Sequence, residues 1–199
     1  MRILFQGDSI TDGNRGRTED PNHLYGHGYV FSIVSQLGAQ NPDLLFFDRG
    51  NSGDTASDLM KHWIRDGVDL QPDVVSLLIG TNDAQRRNFT PERFEMVCRT
   101  LLEDLPGARF ILCEPFRFQG DLSAEEWEEK KNRLQGYQQK LRRIAEETRS
   151  IFVPLQDVFD EACKRAPASY WIWDGIHPTA AGHHLLAQRW LECTKELWK

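Results

Sequence analysis

Five short runs, at residues 2–6, 44–48, 74–79, 109–113 and 151–154, are apolar at nearly every position rather than at alternate ones. A strand with one wet face alternates, whereas a strand covered on both faces does not, so each run predicts a buried parallel strand. Between the runs the apolar period lengthens to that of a helix. Tyr29, Val30, Ile33, Val34 and Leu37 share one face, and Leu59, Met60, Trp63 and Ile64 share another. Thr90-Pro91 opens a third helix with a capping hydroxyl and a proline in the first turn, and Pro106-Gly107 stops it. Ser123 and Glu126 form a capping box ahead of a long helix that carries Trp127, Leu134, Tyr137, Leu141 and Ile144. A short helix at about 158–164 and a last one at about 179–197 follow. Trp63, Trp127 and Trp190 fall at core spacing.

Strand-helix alternation of this kind predicts an α/β fold. Its sheet is open and mostly parallel, of about five strands, with right-handed crossovers placing helices on both faces in a three-layer α/β/α sandwich. At 199 residues, with no repeat or linker, one domain spanning 1–199 is expected. Such sheets bind ligands beyond the carboxyl ends of their strands. Four polar stretches lie at those ends or in the last loop: G-D-S at 7–9, R-G-N-S-G-D-T at 49–55, G-T-N-D at 80–83 and D-G-I-H-P at 174–178. They should meet on one edge.

Charge narrows the partners. Lys plus Arg is 24 against 30 acidic residues, a net charge of −6, so no polyanion is favoured and nucleic acid is not expected. The pairs Lys130-Lys131 and Arg142-Arg143 lie in a Glu-rich helix, where i,i+4 ion pairing accounts for them. The four cysteines have no C-x-x-C spacing and read as free thiols. No apolar run approaches a membrane span, and the chain passes from Met1 directly into a strand and the G-D-S turn rather than through the basic start, apolar core and cleavage site of a secretory signal, so none is expected. Cytoplasmic localisation is the expectation.

The polar stretches contain the groups that acyl transfer by a serine requires: a nucleophile, a base, a carboxylate to orient the base, and donors for the oxyanion. Taken singly each has a plainer reading. Ser9 lacks the second glycine of a G-x-S-x-G elbow and could simply cap a helix, Asp174 and His177 could be an ordinary loop pair, and Asn82 could close a turn. Asp8, Asp12 and Asp83 could suggest a magnesium cluster, and His177, His183 and His184 zinc ligands, but neither set has metal-binding spacing. No metal and no cofactor is expected.

Taken together, in order, the blocks G-D-S-I-T, N-S-G-D-T, G-T-N-D and D-G-I-H-P resemble those of the SGNH or GDSL hydrolases, a flavodoxin-like family of esterases and lipases. The resemblance runs from Ile3 to the final helix. It implies Ser9 as nucleophile, His177 as base and Asp174 as its orienting carboxylate, with the Ser9 N–H, the Gly53 N–H and the Asn82 amide as oxyanion hole. Within the family the chain is most similar to the intracellular acetylxylan esterase-like group, through Gly28-Tyr29-Val30, Asn82-Asp83 running into Arg86-Arg87, and Trp173-Asp174. That implies hydrolysis of short acyl esters on carbohydrates such as acetylated xylo-oligosaccharides, a small-molecule substrate, no membrane partner, and a homo-oligomer. Asp8, Tyr170, Trp171 and Trp173 are the candidate substrate contacts. The alternatives are a lysophospholipase or thioesterase, which would need a long apolar groove, and a noncatalytic carbohydrate-binding protein on the same fold.

Overall fold

The computed structural model describes residues 1–18, 20–86 and 88–198. Its sheet has five strands, β1 (Arg2–Gly7), β2 (Leu45–Asp48), β3 (Val74–Leu78), β4 (Arg109–Cys113) and β5 (Ile151–Val153), all parallel and in the order β2-β1-β3-β4-β5. Every strand lies within a residue or two of the apolar run that announced it. The alternating side chains of β1 explain why these runs are continuous: Ile3 and Phe5 enter one hydrophobic cluster and Leu4 the other, each fully buried. On β3 the same division separates Val74 and Leu78 from Val75 and Leu77. Both faces are dry.

In chain order the helices are α1 (Ser9–Asp12), α2 (Tyr29–Gln40), α3 (Ala56–Leu59), α4 (Trp63–Asp66), α5 (Thr81–Gln85), α6 (Pro91–Glu103), α7 (Ala124–Thr148), α8 (Gln156–Ala162), α9 (Ala168–Trp171) and α10 (Ala180–Thr194). The side chains of α2, α8 and α10 belong to the cluster of Ile3 and Phe5, and those of α6 and α7 to that of Leu4. Trp190 spans its layer, with its indole N–H donating to the Ser76 hydroxyl of β3 at 2.9 Å. The hydroxyl caps expected at Thr90 and Ser123 are made, and Ser123 and Glu126 close a full capping box.

Two expected elements differ. The face of Leu59, Met60, Trp63 and Ile64 is broken into the single turns α3 and α4, and Ile64 is 60% exposed. The break is at His62, whose backbone leaves the helical region (φ −124°, ψ 8°) while its ring is clamped between Asp54 at 2.6 Å and Asp66 at 2.9 Å. Tyr170 and Trp171, expected in a loop, form the end of α9.

Since β1 is flanked by β2 on one side and β3 on the other, the chain reverses its direction of winding between β1 and β3. The crevice beyond their carboxyl ends is where a sheet of this order receives ligands. Ser9 follows β1 and Asn82 follows β3.

Candidate active site

All four polar stretches line one cavity of about 610 Å³ at that crevice, including Ser9, Ser52, Gly53, Asn82, Trp173 and His177. At its base the Ser9 hydroxyl lies 2.8 Å from His177 Nε2, and His177 Nδ1 lies 2.6 Å from Asp174 Oδ2. The other oxygen, Asp174 Oδ1, accepts the backbone N–H groups of Ile176 at 2.9 Å and His177 at 2.7 Å. Partial burial pushes the Asp174 carboxyl up, but these N–H donors and the imidazole outweigh it and hold the carboxyl below its usual range. It stays an anion beside the ring. The loop is pinned as well, by the antiparallel bridge between Ile172 and Pro178 and by the Trp173 N–H donating to the His177 carbonyl at 3.1 Å. The Trp173 ring stacks on the imidazole with centroids 6.2 Å apart.

The serine is presented by the shortest possible transition from strand to helix. Asp8 caps α1 by accepting the Ile10 N–H at 3.0 Å, so the capping role that a sequence reading could give to Ser9 belongs to Asp8. Ser9 is the first residue of α1, and first-turn N–H groups have no acceptor within their own helix. Gly7 allows the turn through space: a Cβ there would collide with the Leu78 carbonyl oxygen and the Thr11 side chain. Gly53 is different. A Cβ on it would meet nothing, but its φ of +86° is a conformation other residues rarely adopt. Its value is backbone conformation rather than lack of bulk.

The neighbouring polar groups hold these loops in place. The Ser52 hydroxyl and N–H donate to Asp12 at 2.8 and 3.2 Å, and Arg17 holds the same carboxylate at 2.8 Å, fixing the peptide ahead of Gly53. Arg86 donates to the Gly53 carbonyl at 3.1 Å from the other side. The Asn82 amide donates one N–H to the Asp54 carbonyl at 2.9 Å and directs the other at Asp8 Oδ2, a longer contact of 3.4 Å, while the residue lines the cavity. Asp83 accepts the Ala56 N–H with both oxygens at 3.1 Å. Asp8, Asp12 and Asp83 thus each anchor backbone N–H groups of the loops around the cavity. His183 likewise faces inward, accepting the Tyr29 N–H at 3.1 Å, while its neighbour His184 is exposed.

The candidate substrate contacts divide. Trp173 is 65% exposed and lines the cavity. Tyr170 is also exposed but does not line it. Asp8 is withdrawn as a substrate contact, because it is 2% exposed and both its oxygens face protein donors. Trp171 is withdrawn too: its ring is 8% exposed, packed in the hydrophobic core with the Arg165 guanidinium over it at 5.1 Å. Asn14 and His27, not singled out from sequence, complete the wall near Ser52. Of the two arginines of the Arg86-Arg87 pair, Arg87 lies outside the described residues.

The buried carboxyls give the protein a pH signature. Burial raises Asp8 to about 7, Asp48 to about 8 and Asp83 to about 6, in each case against backbone N–H donors that lower it. The unfolded chain loses these protons near pH 4, so the folded chain holds them longer and stability falls as pH rises from about 4 to 8. His183 acts in the opposite direction, since burial lowers it to about 4 and its contribution is lost as pH falls below about 6.5. One imidazole does not offset three carboxyls. The urea midpoint is expected to decrease between about pH 5 and pH 8 by an amount worth several kcal/mol, and Asp48→Asn to flatten the decrease. A midpoint that climbs over this interval would refute these protonation states.

Residues 5–185 match the model of the GDSL-like lipase/acylhydrolase family. The chain belongs to this family. It is 36% identical over 205 residues to an acetylxylan esterase of Geobacillus stearothermophilus, covering 96% of this chain and 92% of that protein. It also matches a multidomain esterase of Ruminococcus flavefaciens at 29% identity, over 96% of this chain and 28% of that protein. Among solved structures, a Parabacteroides merdae protein named as a GDSL-like lipase superposes with a TM-score of 0.91 at 36% identity, covering 100% of this chain and 96% of that one. The Geobacillus acetylxylan esterase superposes with a TM-score of 0.87 at 33% identity, over 99% and 95%. This GDSL-family chain is a carboxylic ester hydrolase with the flavodoxin-like α/β fold. Among the described residues no helix is long and apolar enough to cross a membrane.

Proposed function

We propose that the protein removes acetyl groups from small acetylated carbohydrates, acetylated xylo-oligosaccharides among them, by a Ser-His-Asp mechanism. The observation that carries the reading is the hydrogen-bonded chain Ser9–His177–Asp174, at 2.8 and 2.6 Å, opening into a cavity whose lining is polar or glycine apart from Trp173 and Pro178. His177 Nε2 takes the Ser9 proton as Oγ attacks the acetyl carbonyl. Asp174 holds the ring through Nδ1 and balances the imidazolium that forms. The carbonyl oxygen becomes an oxyanion facing the Ser9 and Gly53 N–H groups and the Asn82 amide. His177 then protonates the departing sugar oxygen, which leaves as a hydroxyl with acetyl-Ser9 behind it, and activates water to release acetate. The Ser9 proton leaves on the sugar and a proton from water replaces it, so His177 ends each cycle as it began and the residues named suffice for both half-reactions.

The wall chemistry favours a short acyl group. Asn14, His27, Ser52 and Gly53 supply no aliphatic surface for a longer chain, and each buried methylene would be worth about 0.8 kcal/mol to an enzyme that offered one. Trp173 and Pro178 instead give an apolar edge beside the base, suited to the C–H face of a sugar. The expected result is that kcat/KM declines from p-nitrophenyl acetate to the octanoate and that acetylated xylosides release acetate. A steady rise with chain length and no acetate from xylosides would replace this substrate with a lipid or thioester. Trp173→Ala should cost more on the acetylated oligosaccharide than on p-nitrophenyl acetate. An equal loss would make that ring a prop for the catalytic loop.

A further inference from the structure

Of the six tryptophans, four lie in or against the hydrophobic clusters, while Trp127 and Trp173 belong to neither. Trp127 carries the helical spacing of a core residue, yet the buried face of α7 begins only at Leu134, about two turns further on. Instead Trp127 and Trp173 line the same cleft, of about 480 Å³, between the start of α7, residues 118–121 and the catalytic loop. That volume is within the range of small-molecule sites, roughly 300–1,000 Å³. Trp173 lines both this cleft and the Ser9 cavity, so the two adjoin at that side chain.

Two features make the cleft a built one. The Phe118 N–H donates to the Gly175 carbonyl at 2.7 Å, which fastens its floor to the loop holding Asp174 and His177. The capping box of Ser123 and Glu126 fixes the turn that carries Trp127. Its composition combines aromatic faces from Phe118, Trp127 and Trp173 with the polar side chains of Gln119, Asp121 and Ser169. Pyranose rings have that same duality, with apolar C–H faces and hydroxyls around the edge. A fatty acyl chain would have no use for the polar rim.

We propose that this cleft is a second sugar subsite, which receives the pyranose unit adjacent to the acetylated one, its C–H face against Trp127 and its hydroxyls toward Asp121 and Ser169. The assignment rests on the carbohydrate reading of the Ser9 cavity and adds to it a preference for oligosaccharides over monosaccharides. It makes Trp127, distant in sequence from all four catalytic blocks, a specificity-determining residue.

The test compares acetylated methyl xyloside with acetylated xylotriose, using p-nitrophenyl acetate as the reference substrate. The wild-type protein should favour the trisaccharide in kcat/KM by roughly tenfold, the effect of burying one sugar face. Trp127→Ala should abolish most of that preference, with its loss on the trisaccharide far exceeding its loss on p-nitrophenyl acetate, and Trp127→Phe should restore part of it. In the Ser9→Ala protein, unacetylated xylotriose should quench tryptophan fluorescence, and Trp127→Ala should weaken that binding. A length preference that survives Trp127→Ala overturns the subsite alone. Cleavage of p-nitrophenyl acetate with no acetate from either sugar overturns the carbohydrate reading, and the subsite with it.

Discussion

Ser9→Ala is expected to lower the rate of ester hydrolysis by about 10⁴- to 10⁶-fold, and His177→Ala by a similar factor, with the double variant scarcely worse than either. The 2.8 Å contact between the Ser9 hydroxyl and His177 Nε2 is the reason for the non-additivity. A base with no nucleophile to deprotonate contributes nothing to acyl transfer, and neither does a hydroxyl with no base. Both variants should fold, because the two side chains face a cavity rather than the hydrophobic clusters. Steady-state rates on p-nitrophenyl acetate, with a matched denaturation curve, check both points. Losses that multiply in the double variant would mean that the residues act independently.

Asn82→Ala is expected to reduce kcat by roughly 10²- to 10³-fold with little change in KM. The amide donates one N–H to the Asp54 carbonyl at 2.9 Å, which sets its orientation before substrate arrives, and in the proposed mechanism the other, held only by the long 3.4 Å contact to Asp8 Oδ2, turns to the developing oxyanion. An interaction that strengthens only as negative charge forms on oxygen appears in kcat rather than in ground-state binding. An unchanged kcat in a folded Asn82→Ala protein would confine the residue to tying the loop after β3 to Asp54.

How much of this was legible in the sequence depends on the range of the interactions involved. Strands were readable because burial on both faces leaves a local mark, and β4 was bounded correctly from its five side chains alone. The Asp174–His177 pair is also local, three residues apart in one turn. The helix broken at His62 was not readable, because the ring is drawn away by Asp54, eight residues back in the chain. Trp171 and Trp173, two residues apart, look alike in sequence. Only the packing of α9 under Arg165 sends one into the core and leaves the other beside His177. Asp8 illustrates the same limit: named as a candidate substrate contact, it instead has Ile10 and Asn82 on its two oxygens. Trp127 has the helical spacing of a core residue, yet the buried side chains of its helix begin only at Leu134.

The central claim is that Ser9 is the group that carries the acyl chain during turnover. Reaction with a fluorophosphonate followed by mass spectrometry of the proteolysed protein addresses it directly. The account predicts one adduct, on the peptide containing Ser9, formed in step with loss of esterase activity and strongly retarded in His177→Ala. Full inactivation with the adduct on another residue, or an adduct on Ser9 that leaves esterase activity intact, would contradict it.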